Sequence, residues 1–339
     1  MAEKKPLCNY DGTIKELQSG DSLPATSILP SASEAYNINA DTSPNFTAVD
    51  VKGQYIAFVD KGNDRVYISD DSGATWTTSD PGISNPEGIA FTSDFGSIVV
   101  ANSASAGAAF RRSTNGGSSW ANVTNPTTGT AIINMFCKGT TFIGLKGTSS
   151  TEIARSTDSG ATFTSVAITS ANHAFAAADD TASPNTVWLV IASGTVTAYR
   201  STNDGATWSS VTLPFAPHNA AAFGFVNGKF RLISSSGLYA DSTTGATGSW
   251  TTHPIGFYSN NTPSRTSAFT AANGDYNYFI ASGSVYKIHL ENEEDVTAST
   301  ITGSNFGCTY LVYSGGDLYG VSNTTGVGAQ SIFKITNIP

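Results

Sequence analysis

The chain has 339 residues, of which 39% are hydrophobic and 33 are glycine, and carries a net charge of −9. That length can bury a large core. The acidic balance excludes the clustered Lys and Arg that grip phosphate backbones or anionic membranes, so neither nucleic acid nor membrane insertion is expected. Cys8, Cys137 and Cys308 are too few and too far apart for a disulfide scaffold and are expected to be inert thiols. Nowhere do 18 apolar residues follow in a row, and residues 1–10 lack the apolar run of a secretory leader, which points to folding in a cytoplasm.

Residues 1–23 stand apart as an N-terminal arm. Charge gathers there in Lys4, Lys5, Asp11, Lys15, Glu16 and Asp21, and Tyr10-Asp11-Gly12 reads as a turn before Thr13-Ile14-Lys15-Glu16-Leu17. The stretch from Asp11 to Asp21 resembles leader segments of bacteriophage tail-fibre, tailspike and related virion proteins. That resemblance implies attachment to a virus particle, with Tyr10, Asp11, Ile14 and Leu17 as anchor candidates and other virion proteins as partners. An unstructured tag with no partner is the alternative.

From residue 24 to 339 the pattern is strand after strand, with almost no helical periodicity. The class is all-β. Four units each show four short strands: 45–51, 54–59, 65–69 and 76–79; 88–92, 96–101, 109–113 and 120–124; 132–138, 141–145, 152–156 and 163–168; 174–178, 186–191, 197–201 and 208–213. Between the third and fourth strand of each unit one motif returns. It is Ser69-Asp70-Asp71-Ser72-Gly73-Ala74-Thr75-Trp76, then Ser113-Thr114-Asn115-Gly116-Gly117-Ser118-Ser119-Trp120, Ser156-Thr157-Asp158-Ser159-Gly160-Ala161-Thr162-Phe163 and Ser201-Thr202-Asn203-Asp204-Gly205-Ala206-Thr207-Trp208. Starts at 69, 113, 156 and 201 give steps of 44, 43 and 45 residues, a regularity that marks a stacked module. The Asp or Asn and the Ser are suited to hold a tight turn through the backbone, the Gly to supply a positive φ, and the aromatic to open the next strand.

The motif resembles the Asp-box, or bacterial neuraminidase repeat, of β-propellers, where it joins the third and fourth strands of a blade. The resemblance implies a structural role for Ser69, Asp71, Gly73, Trp76, Ser113, Asn115, Gly117, Trp120, Ser156, Asp158, Gly160, Phe163, Ser201, Asn203, Gly205 and Trp208. A fifth, altered copy runs from Ser242 to Trp250, one residue longer and with Thr244 where Asp is expected. Strand rhythm then continues without a box through 265–270, 276–281 and 284–290, and through 308–313, 317–321 and 330–335. Counts of six to eight blades fit this spacing, and seven is the count taken. The last unit lacks a fourth strand, which an N-terminal strand at Ala25-Thr26-Ser27-Ile28-Leu29-Pro30 is expected to supply, closing the ring.

In such a ring the boxes lie on one face and the ligand-accessible loops on the other. Loops entering the first strands offer Glu87, Asn134, His173, His218, Asn219, Arg265 and Phe306, and the loop 255–265 adds Phe257, Tyr258, Asn260 and Asn261. Aromatic faces beside amide and imidazole groups suit a glycan, since sugar rings offer C–H patches and fixed hydroxyls. The ligand candidates are His173, His218, Asn219, Tyr258 and Arg265. No Asp-x-Asn-x-Asp-Gly calcium run occurs, and neither a metal nor a cofactor is expected.

The resemblance also brings sialidases into view. Their arginine triad cannot be assembled from the seven arginines here, because Arg111, Arg112, Arg155 and Arg200 fall on outer third strands, and the Phe/Tyr-Arg-Ile-Pro signature is absent. The acids Glu87, Asp179, Asp180 and Asp275 are not paired by their spacing. The sequence thus suggests a protein without enzymatic activity. The expectation is a virion surface protein, fibre head or decoration protein, assembled in a bacterial cytoplasm, binding host-surface polysaccharide and open to homo-oligomerisation. A glycoside hydrolase of sialidase-like fold and a cellular Asp-box assembly factor are the alternatives.

Overall fold

A computed structural model describes residues 7–10, 13–16, 31–37, 44–102, 110–124, 126, 132–146, 150–171, 173–179, 186–192, 195–216, 222–233, 238–254, 270–271, 276–281, 284–289, 296–299, 308–322 and 331–336. An N-terminal hairpin pairs β1 (Leu7–Tyr10) with β2 (Thr13–Glu16), and among the described residues no ladder joins it to another sheet. Next comes β3 (Ser31–Asn37).

Four-stranded antiparallel meanders follow. They are β4 (Phe46–Lys52), β5 (Tyr55–Asp60), β6 (Arg65–Ser69) and β7 (Thr77–Ser79); then β8 (Pro86–Phe91), β9 (Ile98–Asn102), β10 (Phe110–Ser113) and β11 (Ala121–Val123). The third is β12 (Ile132–Lys138), β13 (Thr141–Lys146), β14 (Ser150–Ser156) and β15 (Thr164–Ala171), and the fourth β16 (His173–Asp179), β17 (Val187–Ala192), β18 (Thr197–Ser201) and β19 (Ser209–Thr212). The fifth is β20 (Ala222–Val226), β21 (Lys229–Ile233), β22 (Leu238–Ser242) and β23 (Thr251–Pro254). A short set follows in β24 (Thr270–Ala271), β25 (Tyr276–Ala281), β26 (Ser284–His289) and β27 (Val296–Ser299). Last come β28 (Cys308–Ser314), β29 (Asp317–Ser322) and β30 (Ser331–Thr336), whose fourth strand is β3, paired antiparallel with β30.

Strand position in a blade dictates composition. The second strands β5, β9, β13 and β17 are buried almost end to end and read as unbroken apolar runs, because blades cover them on both faces. Most outer strands are short and largely exposed, as in Thr77-Thr78-Ser79 and Ser209-Ser210, with β15 and β3 longer. The apolar clusters lie between blades. Ile68 and Val100 join the β4 and β8 blades, Val99 and Phe142 the β8 and β12 blades, Leu145 and Trp188 the β12 and β16 blades, Leu189 and Phe230 the β16 and β20 blades. Phe58 and Trp76 pack with Tyr319 and Ile332, which joins the last blade in the chain to the β4 blade. Inner strands touch their neighbours in order around an axis, and the architecture is a β-propeller.

The expected ring of seven alike blades, closed by residues 25–30, is corrected on two points. Six blades are described down to packed side chains; the β24–β27 set enters by backbone pairing alone, and of the first strand expected at 265–270 only Thr270 is among the described residues. The closing strand is Ser31–Asn37, beginning just after Pro30. The apolar Ile28-Leu29 pair misleads because a fourth strand is the most solvent-exposed of its blade, so Ser and Ala with an inward Tyr36 fit it better than Ile and Leu.

Each box is a hydrogen-bonded corner. In the first, Ser69 Oγ donates to Asp71 Oδ1 (2.8 Å) and accepts from Gly73 N (2.8 Å), while Asp71 accepts from Thr75 N (2.8 Å) and Thr75 Oγ1 (2.6 Å). The third copy repeats this with Ser156, Asp158, Gly160 and Thr162. Asn115 and Asn203 accept in the same way and turn their amide nitrogens to Ser119 and Thr207 hydroxyls. The box glycines share φ between 76° and 86°, and the residue before each is left-handed too, Ser72 at 58° and Ser159 at 57° among them. In the altered fifth copy Gly245 N donates to Ser242 Oγ one residue earlier, and Ser249 bonds Ser242 in place of a carboxylate.

The boxes also bind one blade to the next. A Cβ on Gly160 would lie 2.4 Å from Val99 Cγ2 of the preceding blade, and one on Gly73 2.4 Å from the Tyr319 ring. Arg112, Arg155 and Arg200 each send Nε to a carbonyl in the next blade's corner, Ser159 (2.9 Å), Asp204 (2.6 Å) and Thr244 (2.7 Å). Ile68 takes the equivalent position in the β4 blade and packs on Gly117 instead.

Candidate ligand-binding face

The face opposite the boxes is built by repetition. In five ladders the inner strand carries one extra residue after its first: Thr47 between the pairs Phe46–Asp60 and Ala48–Val59, Glu87 between Pro86–Asn102 and Gly88–Ala101, and likewise Ile133, Ala174 and Thr309. A bulge bends the strand and re-aims the side chain it inserts. Because each inner strand starts at the end remote from the boxes, the five bulges form a collar at one height around the axis.

Polar groups behind the collar hold its loops. Asp60, fully buried, accepts from Asn45 N (2.8 Å), Gly62 N (2.9 Å) and Asn63 Nδ2 (2.8 Å), and Asn102 donates to the Ser84 carbonyl (3.2 Å). Between the first two blades Lys61 pairs with Glu87, Arg65 with Asp80 (2.7 Å), and Asn85 N donates to Asp64 Oδ1 (2.7 Å). At the equivalent height in the third blade Lys146, 3% exposed, pairs at 2.9 Å with Glu152, 44% exposed, whose carboxyl the lysine holds below the usual range.

His173 opens the next inner strand. It is buried against the edge of Tyr199 (centroids 5.6 Å), and among the described residues no side chain hydrogen-bonds either ring nitrogen. Burial lowers its pKa, with the Thr169 backbone acting the other way. The imidazole is therefore neutral at neutral pH.

Of the sequence-derived ligand set, His173 stands at the collar, whereas His218, Asn219, Tyr258 and Arg265 lie outside the described residues. Tyr10 ends β1 and Ile14 lies in β2; Asp11 and Leu17 fall outside. Arg231, another of the seven arginines, is buried and donates to the Val226 carbonyl (3.2 Å) and the Tyr239 hydroxyl, a structural role. Asp179 ends β16, away from the collar, and Glu87 is neutralised by Lys61. Sequence reasoning missed Lys146 and Glu152; the only trace was a lysine closing the apolar strand Thr141-Phe142-Ile143-Gly144-Leu145-Lys146. Cys137 is buried, which pushes its thiol up to about 12 and makes it unreactive in the folded chain.

The fold places the chain among β-propeller proteins. In sequence, neither a family model nor a curated protein matches it. In structure it is similar to virginiamycin B lyase from Staphylococcus aureus, with TM-score 0.71 and 15% identity over 91% of this chain and 100% of that one. A streptogramin B lyase (0.69, 14%, 91% and 97%) and YCF48 bound to D1 peptide (0.65, 13%, 94% and 98%) are comparably similar. At these identities the likeness is one of fold. It corrects one expectation all the same: the missing sialidase machinery excludes a single chemistry, and proteins of this fold include lyases, so a chain without enzymatic activity does not follow.

Proposed function

We propose that this chain is an Asp-box propeller of a bacteriophage virion, attached through its N-terminal arm and binding a host-surface glycan at the collar face. The observation that carries the reading is the division of labour between faces. The box face uses its side chains to hold blade to blade, while at the opposite end five inner strands each carry an inserted residue, with Lys61 and Glu87 paired beside them. Among the described residues the arm contributes a hairpin that pairs with no blade strand, a form suited to attachment elsewhere. Two assays test this. Deleting residues 1–22 leaves a folded domain that no longer joins particles, and incorporation at normal copy number refutes the anchor. Purified chain binds host cells, and polysaccharide stripped from those cells competes; absence of both refutes the glycan. A second reading, catalysis at the same collar, is favoured by the buried neutral His173, and shortening of the bound polysaccharide over time distinguishes it.

A further inference from the structure

The boxes use two kinds of acceptor. Asp71 and Asp158 serve the first and third, Asn115 and Asn203 the second and fourth. The second box alone follows its acceptor with glycine, as Asn115-Gly116; the others continue with Ser72, Ser159 and Asp204. An asparagine side-chain amide before glycine is open to attack by the next backbone nitrogen, because no Cβ crowds that nitrogen.

The second corner also leaves this nitrogen free. In the other boxes the N–H after the acceptor is tied to a carbonyl, Ser72 N to Gln54 (2.8 Å), Ser159 N to Thr140 (3.1 Å) and Asp204 N to Thr186 (3.3 Å). Gly116 N meets no acceptor among the described residues, and the β8–β9 turn beside it bonds within itself, Phe95 N to the Thr92 carbonyl (2.9 Å). Meanwhile Asn115 Oδ1 accepts from Ser113 Oγ (2.9 Å) and Ser119 N (3.0 Å). Two donors on one amide oxygen stabilise negative charge that develops there, as an oxyanion hole does. The side chain is exposed, so water reaches it.

The chain already contains the corner that such a reaction would produce. At Asp71 and Asp158 the second carboxylate oxygen accepts from the Thr75 and Thr162 hydroxyls, each at 2.6 Å. Ser119 Oγ stands in the same place, 2.8 Å from Asn115 Nδ2.

We propose that Asn115 is a site of self-deamidation, at which the folded second corner converts its own asparagine to aspartate. Gly116 N gives its proton to solvent and bonds Asn115 Cγ; the Cγ–Nδ2 bond breaks and the nitrogen leaves as ammonia, with a proton from solvent. Water then adds to Cγ, the new Cγ–N bond breaks, and Gly116 N regains a proton. The donors on Oδ1 favour opening at Cγ, so the product is ordinary aspartate; opening at the backbone carbonyl would give isoaspartate. The chain gains a negative charge and its second corner comes to match the first and third. The bonds that hold Asn115 oppose the rotation bringing Cγ to the nitrogen, so comparison with the unfolded chain is the decisive measurement.

Incubating the full chain at mildly alkaline pH and mapping its peptides by mass tests the proposal. The expected result is aspartate at position 115, formed faster in the folded chain than in the same chain unfolded in urea. Ser113→Ala removes one donor and slows the folded rate by about tenfold, with the unfolded rate unchanged. Asp204→Gly creates a second Asn-Gly pair at a residue already left-handed (φ 55°), where the N–H still faces the Thr186 carbonyl, and Asn203 in that variant converts more slowly than Asn115. Asn115→Asp, the product made directly, keeps its melting temperature at neutral pH. A folded rate no faster than the unfolded one, isoaspartate as the main product, or equal rates at positions 115 and 203 in Asp204→Gly overturns the proposal.

Discussion

Replacing Gly160 by Ala separates backbone strain from blade-to-blade contact. Gly160 sits at φ +76° in the third box, and a methyl there would meet Val99 Cγ2 at 2.4 Å. Gly139, in the turn between β12 and β13 of the same blade, has φ +57° and nothing within 4 Å of its Cβ position. Both substitutions place an L-residue in the left-handed region, costing about 1–2 kcal/mol. Only Gly160→Ala adds overpacking between two blades, about 1–3 kcal/mol more. The expected losses are therefore about 1–2 kcal/mol for Gly139→Ala and about 2–5 kcal/mol for Gly160→Ala, the latter a large share of a total stability of about 5–15 kcal/mol. Urea unfolding followed by tryptophan fluorescence measures both through the midpoint at unchanged slope. Pairing Gly160→Ala with Val99→Ala makes room for the methyl and recovers about 1–3 kcal/mol as coupling. Equal losses at the two glycines, or additivity with Val99→Ala, would refute the claim that box corners seat against the preceding blade.

Further tests address the box, the closure and the buried histidine. Asp158→Asn keeps the Oδ1 acceptor, as Asn115 and Asn203 already do, so stability at pH 7 changes little. The native Asp158 pKa is lowered to about 2, so its contribution is present above about pH 4 and lost as pH falls towards 2; thermal melts of Asp158→Asn flatten across that window. Deleting residues 1–37 removes β3 and bares β30, and light scattering then detects aggregation that deletion of residues 1–22 does not cause. His173 has a lowered pKa, so the unfolded chain takes the proton first and native stability falls as pH drops below 6.5. His173→Phe reduces that slope in urea titrations between neutral and mildly acidic pH.

Legibility differed sharply between elements. Strands 65–69, 132–138, 197–201 and 276–281 were placed to the residue from sequence, because turn residues bracket the runs and a box marks the end of 65–69 and of 197–201. The collar was only half visible: Glu87, Asn134 and His173 were named as entering inner strands, but a bulge leaves no composition of its own, since it is set by how the inner strand meets its neighbour. The same holds for β27 (Val296–Ser299), which the apolar pattern passed over because outer strands bury little.

By itself the chain determined an all-β ring of modules, since a Ser, an Asp or Asn, a Gly and an aromatic at fixed offsets bond to one another within eight residues and need no distant partner. Tertiary structure alone decided where the ring closes, which inner residues are re-aimed at the collar, and why Arg112, Arg155 and Arg200 recur. Those outcomes rest on contacts between blades forty or more residues apart, and closure on a pairing between the two ends of the chain, so local pattern carries almost no trace of them.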